Sequence, residues 1–218
     1  MKKDLMKTNC YDVEDTLIIV GSCLDRMQPE AYKELEMISD NIYDVCLEEK
    51  ECNVKIIEEV PTKLINESIT PEKIGKMEFQ ELIIKTQIEN EKNCEFDGVI
   101  IFDGSPIDSM KFINREEFDK FVKKYNTNFE EIINGYDGII FLETIAKEYP
   151  ELYSNENNKA RLTDVEAAVA RNDKLFNIYN NNSKVYLIKP DKDIEVKKKK
   201  IIEVVESIIK GIDSNEWK

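Results

Sequence analysis

Five short apolar runs divide the chain: Leu17–Val20, Val54–Ile57, Gly98–Phe102, Ile139–Leu142 and Lys184–Ile188. Apolar residues without polar alternation, bounded by turn residues, predict strands buried on both faces. The intervening stretches follow helical spacing instead. After Pro29, the positions Leu35, Ile38, Ile42, Val45 and Cys46 form one apolar stripe. Thr62–Asn66 is helical, and Lys76–Lys92 is a longer helix with Phe79, Leu82, Ile83 and Ile88 inward. Asn114 followed by Arg-Glu-Glu has the chemistry of a helix N-cap with acids in its first turn. Further helices are expected over Asp164–Tyr179 and Glu195–Lys210. Strands alternating with helices produce parallel pairing, because each crossover returns the chain to the same end of the sheet. The predicted fold is therefore α/β, a three-layer parallel sheet of about five strands flanked by helices. One domain is expected over residues 16–212, between a polar lead-in at 1–15 and a tail at 213–218.

Composition narrows the function classes. A net charge of −14 opposes non-specific nucleic-acid binding and docking on anionic membranes. The chain has no histidine, which removes Ser-His-Asp and Cys-His catalysis and imidazole metal sites. Its five cysteines are scattered, with no C-x-x-C pair, as expected of reduced thiols in a cytoplasmic protein. Residues 1–14 lack the apolar stretch of a secretion signal, and no apolar run is long enough to span a membrane. The run Lys197–Lys200 reads as the solvated face of the last helix.

The densest chemistry follows the third strand, in Asp103-Gly-Ser-Pro-Ile-Asp108. Open α/β sheets hold ligands beyond the carboxyl ends of their strands, so Asp103 is a candidate functional carboxylate. It could hold a metal through water or accept a proton from a substrate hydroxyl; the alternative is a cap on the following turn. Asp108 is a candidate ligand-binding residue, with helix capping as its alternative. Glu59, beyond strand two, is a second catalytic candidate. Gly21 and Ser22 follow strand one, where the free N–H groups of a helix start can meet an anion. The aromatics Phe79, Tyr153 and Tyr179 fall on apolar positions and read as core.

From residue 58 to 205, the order of motifs resembles a bacterial family of P-loop AAA-type ATPase or kinase-like proteins. That family is related to the kinase domains of nicotinamide riboside kinases and to the GTP-binding domain of TRPL translocation defect protein 14. The matching pieces are Glu59, Phe79-Gln80 with Gln87 and Glu91, Asp103, Tyr136-Asp137, and Tyr153 through Asn157-Asn158-Lys-Ala-Arg161. The resemblance implies a P-loop-NTPase-like sheet, a nucleotide and Mg²⁺ as cofactors, and a lid around 145–165. It makes Asp103 a metal ligand, Arg161 a catalytic anion clamp in the lid and Asn158 a ligand-binding residue.

Departures from the pattern are as informative. Strand one should lead into Gly-x-x-x-x-Gly-Lys-Ser/Thr, whose backbone cradles phosphates and whose lysine and hydroxyl hold phosphate and Mg²⁺. Here the stretch is Gly21-Ser-Cys-Leu-Asp25-Arg26-Met-Gln28, without the second glycine, the lysine or the hydroxyl. Arg26 is a candidate replacement charge, though its planar fork is not equivalent to an ammonium. The family's Asp-Arg-Gly becomes Asp103-Gly104-Ser105, and its Arg-Thr-Glu becomes Arg161-Leu162-Thr163. The expected function is a degenerate kinase-like protein that binds a nucleotide or phosphorylated small molecule with little or no ATP hydrolysis. The alternatives are a pseudoenzyme acting through protein contacts and a nucleoside-processing hydrolase or transferase using carboxylates.

Overall fold

Strand β1 (Thr16–Gly21) lies at the centre of a five-stranded sheet in the order β2-β3-β1-β4-β5. The computed structural model describes residues 16–21, 54–96, 99–153 and 165–209. The other strands are β2 (Val54–Ile57), β3 (Val99–Asp103), β4 (Gly138–Leu142) and β5 (Val185–Ile188). Every pairing is parallel. All five strands fall where the apolar runs predict them. β4 is buried at every position, which is why it reads as a continuous apolar run without alternation.

Helices cover both faces. On β4, Ile139 and Phe141 join the main core with Leu175 and Tyr179 of helix α6 (Val165–Tyr179). Gly138 projects to the opposite face, where an added Cβ would collide with the side chain of Ile208. Ile208 belongs to the last helix, α7 (Ile194–Ile209), which buries Ile201, Val204 and Val205. The glycine lets this helix approach the sheet closely. The expected helix over Pro29–Cys46 lies outside the described residues.

Between β2 and β3 the chain forms α1 (Val60–Asn66), α2 (Pro71–Ile74) and α3 (Lys76–Lys92). A small satellite core of Val60, Leu64, Phe79 and Ile83 joins α1 to α3. A 3₁₀ helix (Pro106–Lys111) follows β3, then α4 (Arg115–Lys123) and α5 (Phe129–Asn134). Asn114 caps α4 through a reciprocal pair: its side chain accepts from the Glu117 amide, and Glu117 accepts from the Asn114 amide. Among the described residues, no helix is long and apolar enough to cross a membrane.

Filling the space beside Gly138 should destabilise the fold. Gly138→Val forces methyl groups against Ile208, and overpacking of this kind costs about 1–3 kcal/mol. Urea unfolding should show a lower midpoint, partly restored by adding Ile208→Ala.

Candidate functional site

The β1–β3 pairing sets Ile19 beside Asp103, so Asp103 stands at the end of β3 just ahead of the point where Gly21 ends β1. Gly21 itself pairs with Leu142. The carboxyl ends of β1, β3 and β4 therefore open together on one edge of the sheet.

A narrow cleft, partly open to solvent, lies at that edge between the ends of β2 and β3 and the face of α3. Glu58, Gln87, Asn90, Glu91 and Asp103 contribute its polar lining, and Gly104 closes one wall. Gly104 has φ +93°, in a region L side chains rarely adopt. A Cβ there would stand 3.3 Å from Asp108 Oδ2 and 3.5 Å from Gln87 Nε2, so the glycine lets these two groups close in on the turn.

A buried hydrogen-bond network underlies the cleft. Tyr136 donates to Glu91 Oε1 at 2.9 Å, and its oxygen lies 3.4 Å from Ser105 Oγ. Tyr179 donates to Asp108 Oδ1 at 2.9 Å and is also bonded by Ser105. Ser105 accepts the Ile107 amide at 3.1 Å, which caps the 3₁₀ helix. Burial, followed by the charges of Glu91 and Asp108 respectively, holds Tyr136 and Tyr179 well above the ordinary phenol range. Both therefore remain hydrogen-bond donors. Burial also raises Glu91 to about 7, against a smaller lowering by the Tyr136 bond.

A second polar group occupies the end of β4. Lys147 Nζ bonds Glu143 at 2.6 Å and Asp173 at 2.9 Å, and both bonds hold its pKa above the usual lysine value. Asn172 Oδ1 accepts the Thr144 amide at 3.0 Å, tying α6 to the strand end.

The sequence-derived candidates fare differently. Asp103 lines the cleft and Asp108 lies behind it; the residue that caps the 3₁₀ helix is Ser105, while Asp108 sits inside that helix and binds Tyr179. Glu59 occupies the N-cap position of α1, where its carboxylate takes the Thr62 hydroxyl at 2.5 Å; its neighbours Glu58 and Val60 line the cleft. Ser22, Arg26, Asn158 and Arg161 lie outside the described residues. The hydrogen-bonding roles of Ser105, Tyr136 and Tyr179, and the Lys147 group, escape the sequence reading. A usable signal was present on α3: Gln80, Gln87 and Glu91 recur at helical spacing inside its apolar face, and both glutamines are buried. Among the described residues, no three Cys, Asp or Glu side chains converge as a metal-binding group.

The family model described as an AAA domain matches residues 41–197, and the chain belongs to that family. A search of curated proteins gives no match. Among solved structures, the chain is similar to deoxyadenosine kinase from M. mycoides with dCMP and dCDP bound. That likeness has a TM-score of 0.54 and 14% identity, covering 88% of this chain and 99% of the kinase. The same kinase with bound dATP aligns with a TM-score of 0.54 and 16% identity, over 88% and 100% of the two chains. NadR in complex with NAD and AMP-PNP aligns at 0.57 and 14% identity, over 89% of this chain and 49% of NadR. The chain thus spans about half the length of NadR. The fold is that of the P-loop kinase-like proteins, a nucleotide-binding architecture.

The raised pKa of Glu91 makes stability depend on pH with a definite sign. Its folded value, about 7, exceeds the unfolded 4.5, so the folded state holds the proton more tightly. The contribution is complete below about pH 4.5 and is lost as pH rises through 7. Glu91→Gln keeps an acceptor for Tyr136 and removes the titration. The variant should match the parent near pH 4.5 and exceed it by on the order of 2–4 kcal/mol at pH 8, read by chemical denaturation across that range.

Proposed function

We propose that this chain is a degenerate P-loop kinase-like protein that binds a nucleotide or a phosphorylated small molecule and hydrolyses ATP little or not at all. The carrying observation is the position of Asp103, at the end of the strand paired with β1, the strand whose following sequence lacks the lysine. Parallel α/β sheets bind ligands at this edge. Solved proteins of the same fold hold dATP, NAD or AMP-PNP, which supports a nucleotide as the ligand.

In this reading the backbone beyond Gly21 meets phosphate through its N–H groups, and the missing lysine and hydroxyl account for the loss of hydrolysis. Mg²⁺ is usually held by one or two carboxylates together with water and phosphate oxygens, a role that Asp103 at the strand end could take. Mg²⁺ would supply charge neutralisation to the phosphates. Asp103 would orient it through water or accept a proton from the bound ligand.

Thermal unfolding with ATP, GTP and NAD, with and without Mg²⁺, tests this function. A ligand at a hundred times its Kd adds about 2.7 kcal/mol, a rise of roughly 5–10 °C for a chain of this size. A nucleotide-specific rise that Asp103→Asn removes, with ATP turnover near background, is the expected result. No rise with any nucleotide would sink the reading and favour a pseudoenzyme that works through protein contacts.

A further inference from the structure

Tyr136 has one phenol proton and faces two acceptors. Its oxygen lies 2.9 Å from Glu91 Oε1 and 3.4 Å from Ser105 Oγ. The first is an ordinary O–H···O length and the second is long, as expected where one O–H serves the nearer acceptor. Glu91 decides between them. An ionised carboxylate only accepts, so it takes the phenol proton. A protonated carboxyl carries an O–H of its own and donates to the phenol oxygen, which frees Tyr136 to turn its proton to Ser105.

The same count applies along the whole network. Glu91, Tyr136, Ser105, Tyr179 and Asp108 make four successive contacts, and their three hydroxyls supply three protons. With both carboxyls ionised, one contact goes without a proton. Tyr136 then donates outward to Glu91 and Tyr179 outward to Asp108, so the empty contact falls beside Ser105. A further proton on Glu91 fills every contact, with each donor pointing from Glu91 towards Asp108. Glu91 is the end that exchanges with solvent, since it is half-buried and lines the cleft, whereas Asp108 is buried. Around the Glu91–Tyr136 pair stand Glu58 and Asp103 in the cleft, at the ends of β2 and β3, with Asp108 and Tyr179 behind Ser105.

We propose that Tyr136 is a two-position switch, donating to Glu91 when that carboxyl is ionised and to Ser105 when it is protonated, so that the charge on the cleft wall sets how firmly Ser105 holds the 3₁₀ helix behind Gly104. In the protonated state Ser105 Oγ accepts from Tyr136 and the Ile107 amide and donates to Tyr179. In the ionised state it loses the Tyr136 donor, and its own proton is divided between two phenol oxygens. The start of the helix is then less firmly held. Burial of Glu91, which raises it to about 7, puts the change near neutrality. The switch operates with or without a nucleotide and does not depend on the function proposed above.

The test is an NMR titration of the full chain from about pH 5 to 9, following the Glu91 carboxyl carbon, the Tyr136 ring and the Ile107 amide. All three should share one midpoint, near 7, although Ile107 touches only Ser105. Glu91→Gln should remove the Tyr136 and Ile107 responses. Tyr136→Phe should leave Glu91 titrating and abolish the response at Ile107. An Ile107 response that survives in Tyr136→Phe would come from the field of Glu91 alone and would overturn the switch, as would no response at Ile107 in the parent. Should Tyr136→Phe fail to fold, amide hydrogen exchange in the parent and Glu91→Gln decides. After correction for intrinsic rates, protection at Ile107 and Asp108 should fall about fivefold in the parent as pH rises through the midpoint, the value of one hydrogen bond, and stay constant in the variant. Equal behaviour of the two proteins would also overturn it.

Discussion

The hydroxyl of Ser105 ties the functional edge of the sheet together. Around it, Tyr136 from the approach to β4 and Tyr179 from the end of α6 meet the 3₁₀ helix behind β3, and Tyr136 reaches on to Glu91 of α3. Each such bond adds only about 1 kcal/mol, whereas a buried polar group stripped of its partner costs about 1–3 kcal/mol. The network is therefore held by the expense of breaking it. Its members come from four segments distant in sequence, so the turn at Gly104 is fixed from behind while its front lines the cleft.

That arrangement separates rigidity from chemistry. The two phenols, Ser105 and Asp108 form the support, whereas Asp103, Glu91 and Gln87 face the cleft. Glu91 belongs to both groups, since it accepts from Tyr136 while lining the cleft. A carboxyl in this position touches the cleft and the packing beneath it at once. The Lys147 group plays a comparable bracing part at the end of β4, where it joins the strand exit to α6.

The sheet was legible because its strands are buried on both faces and so carry uninterrupted apolar runs. The long helices and the Asn114 cap were legible from spacing and end chemistry. The short helices α2 and α5 were not, since four to six residues give periodicity too little length to register. Asp103 could be located because a strand end is a local feature. The roles of Ser105, Tyr136, Tyr179 and Asp108 could not, because each depends on a partner across the fold. Tyr179 illustrates the difficulty: at an apolar helical position it reads as core, and it is core, yet its hydroxyl reaches an aspartate in a different element. Asp108 likewise has the local chemistry of a cap, but Ser105 takes that role and leaves Asp108 to the tyrosine.

The central place of β1 has a kinetic consequence. Its register partners are Ile100 on one side and Gly138 on the other, so among the described strands β1 is made first and waits for both β3 and β4. At roughly 5–20 residues per second, a ribosome leaves this strand without its neighbours for on the order of ten seconds. Long-range parallel pairing also folds slowly once the chain is complete. During synthesis, β1 therefore needs shelter from other nascent chains until β3 and β4 arrive.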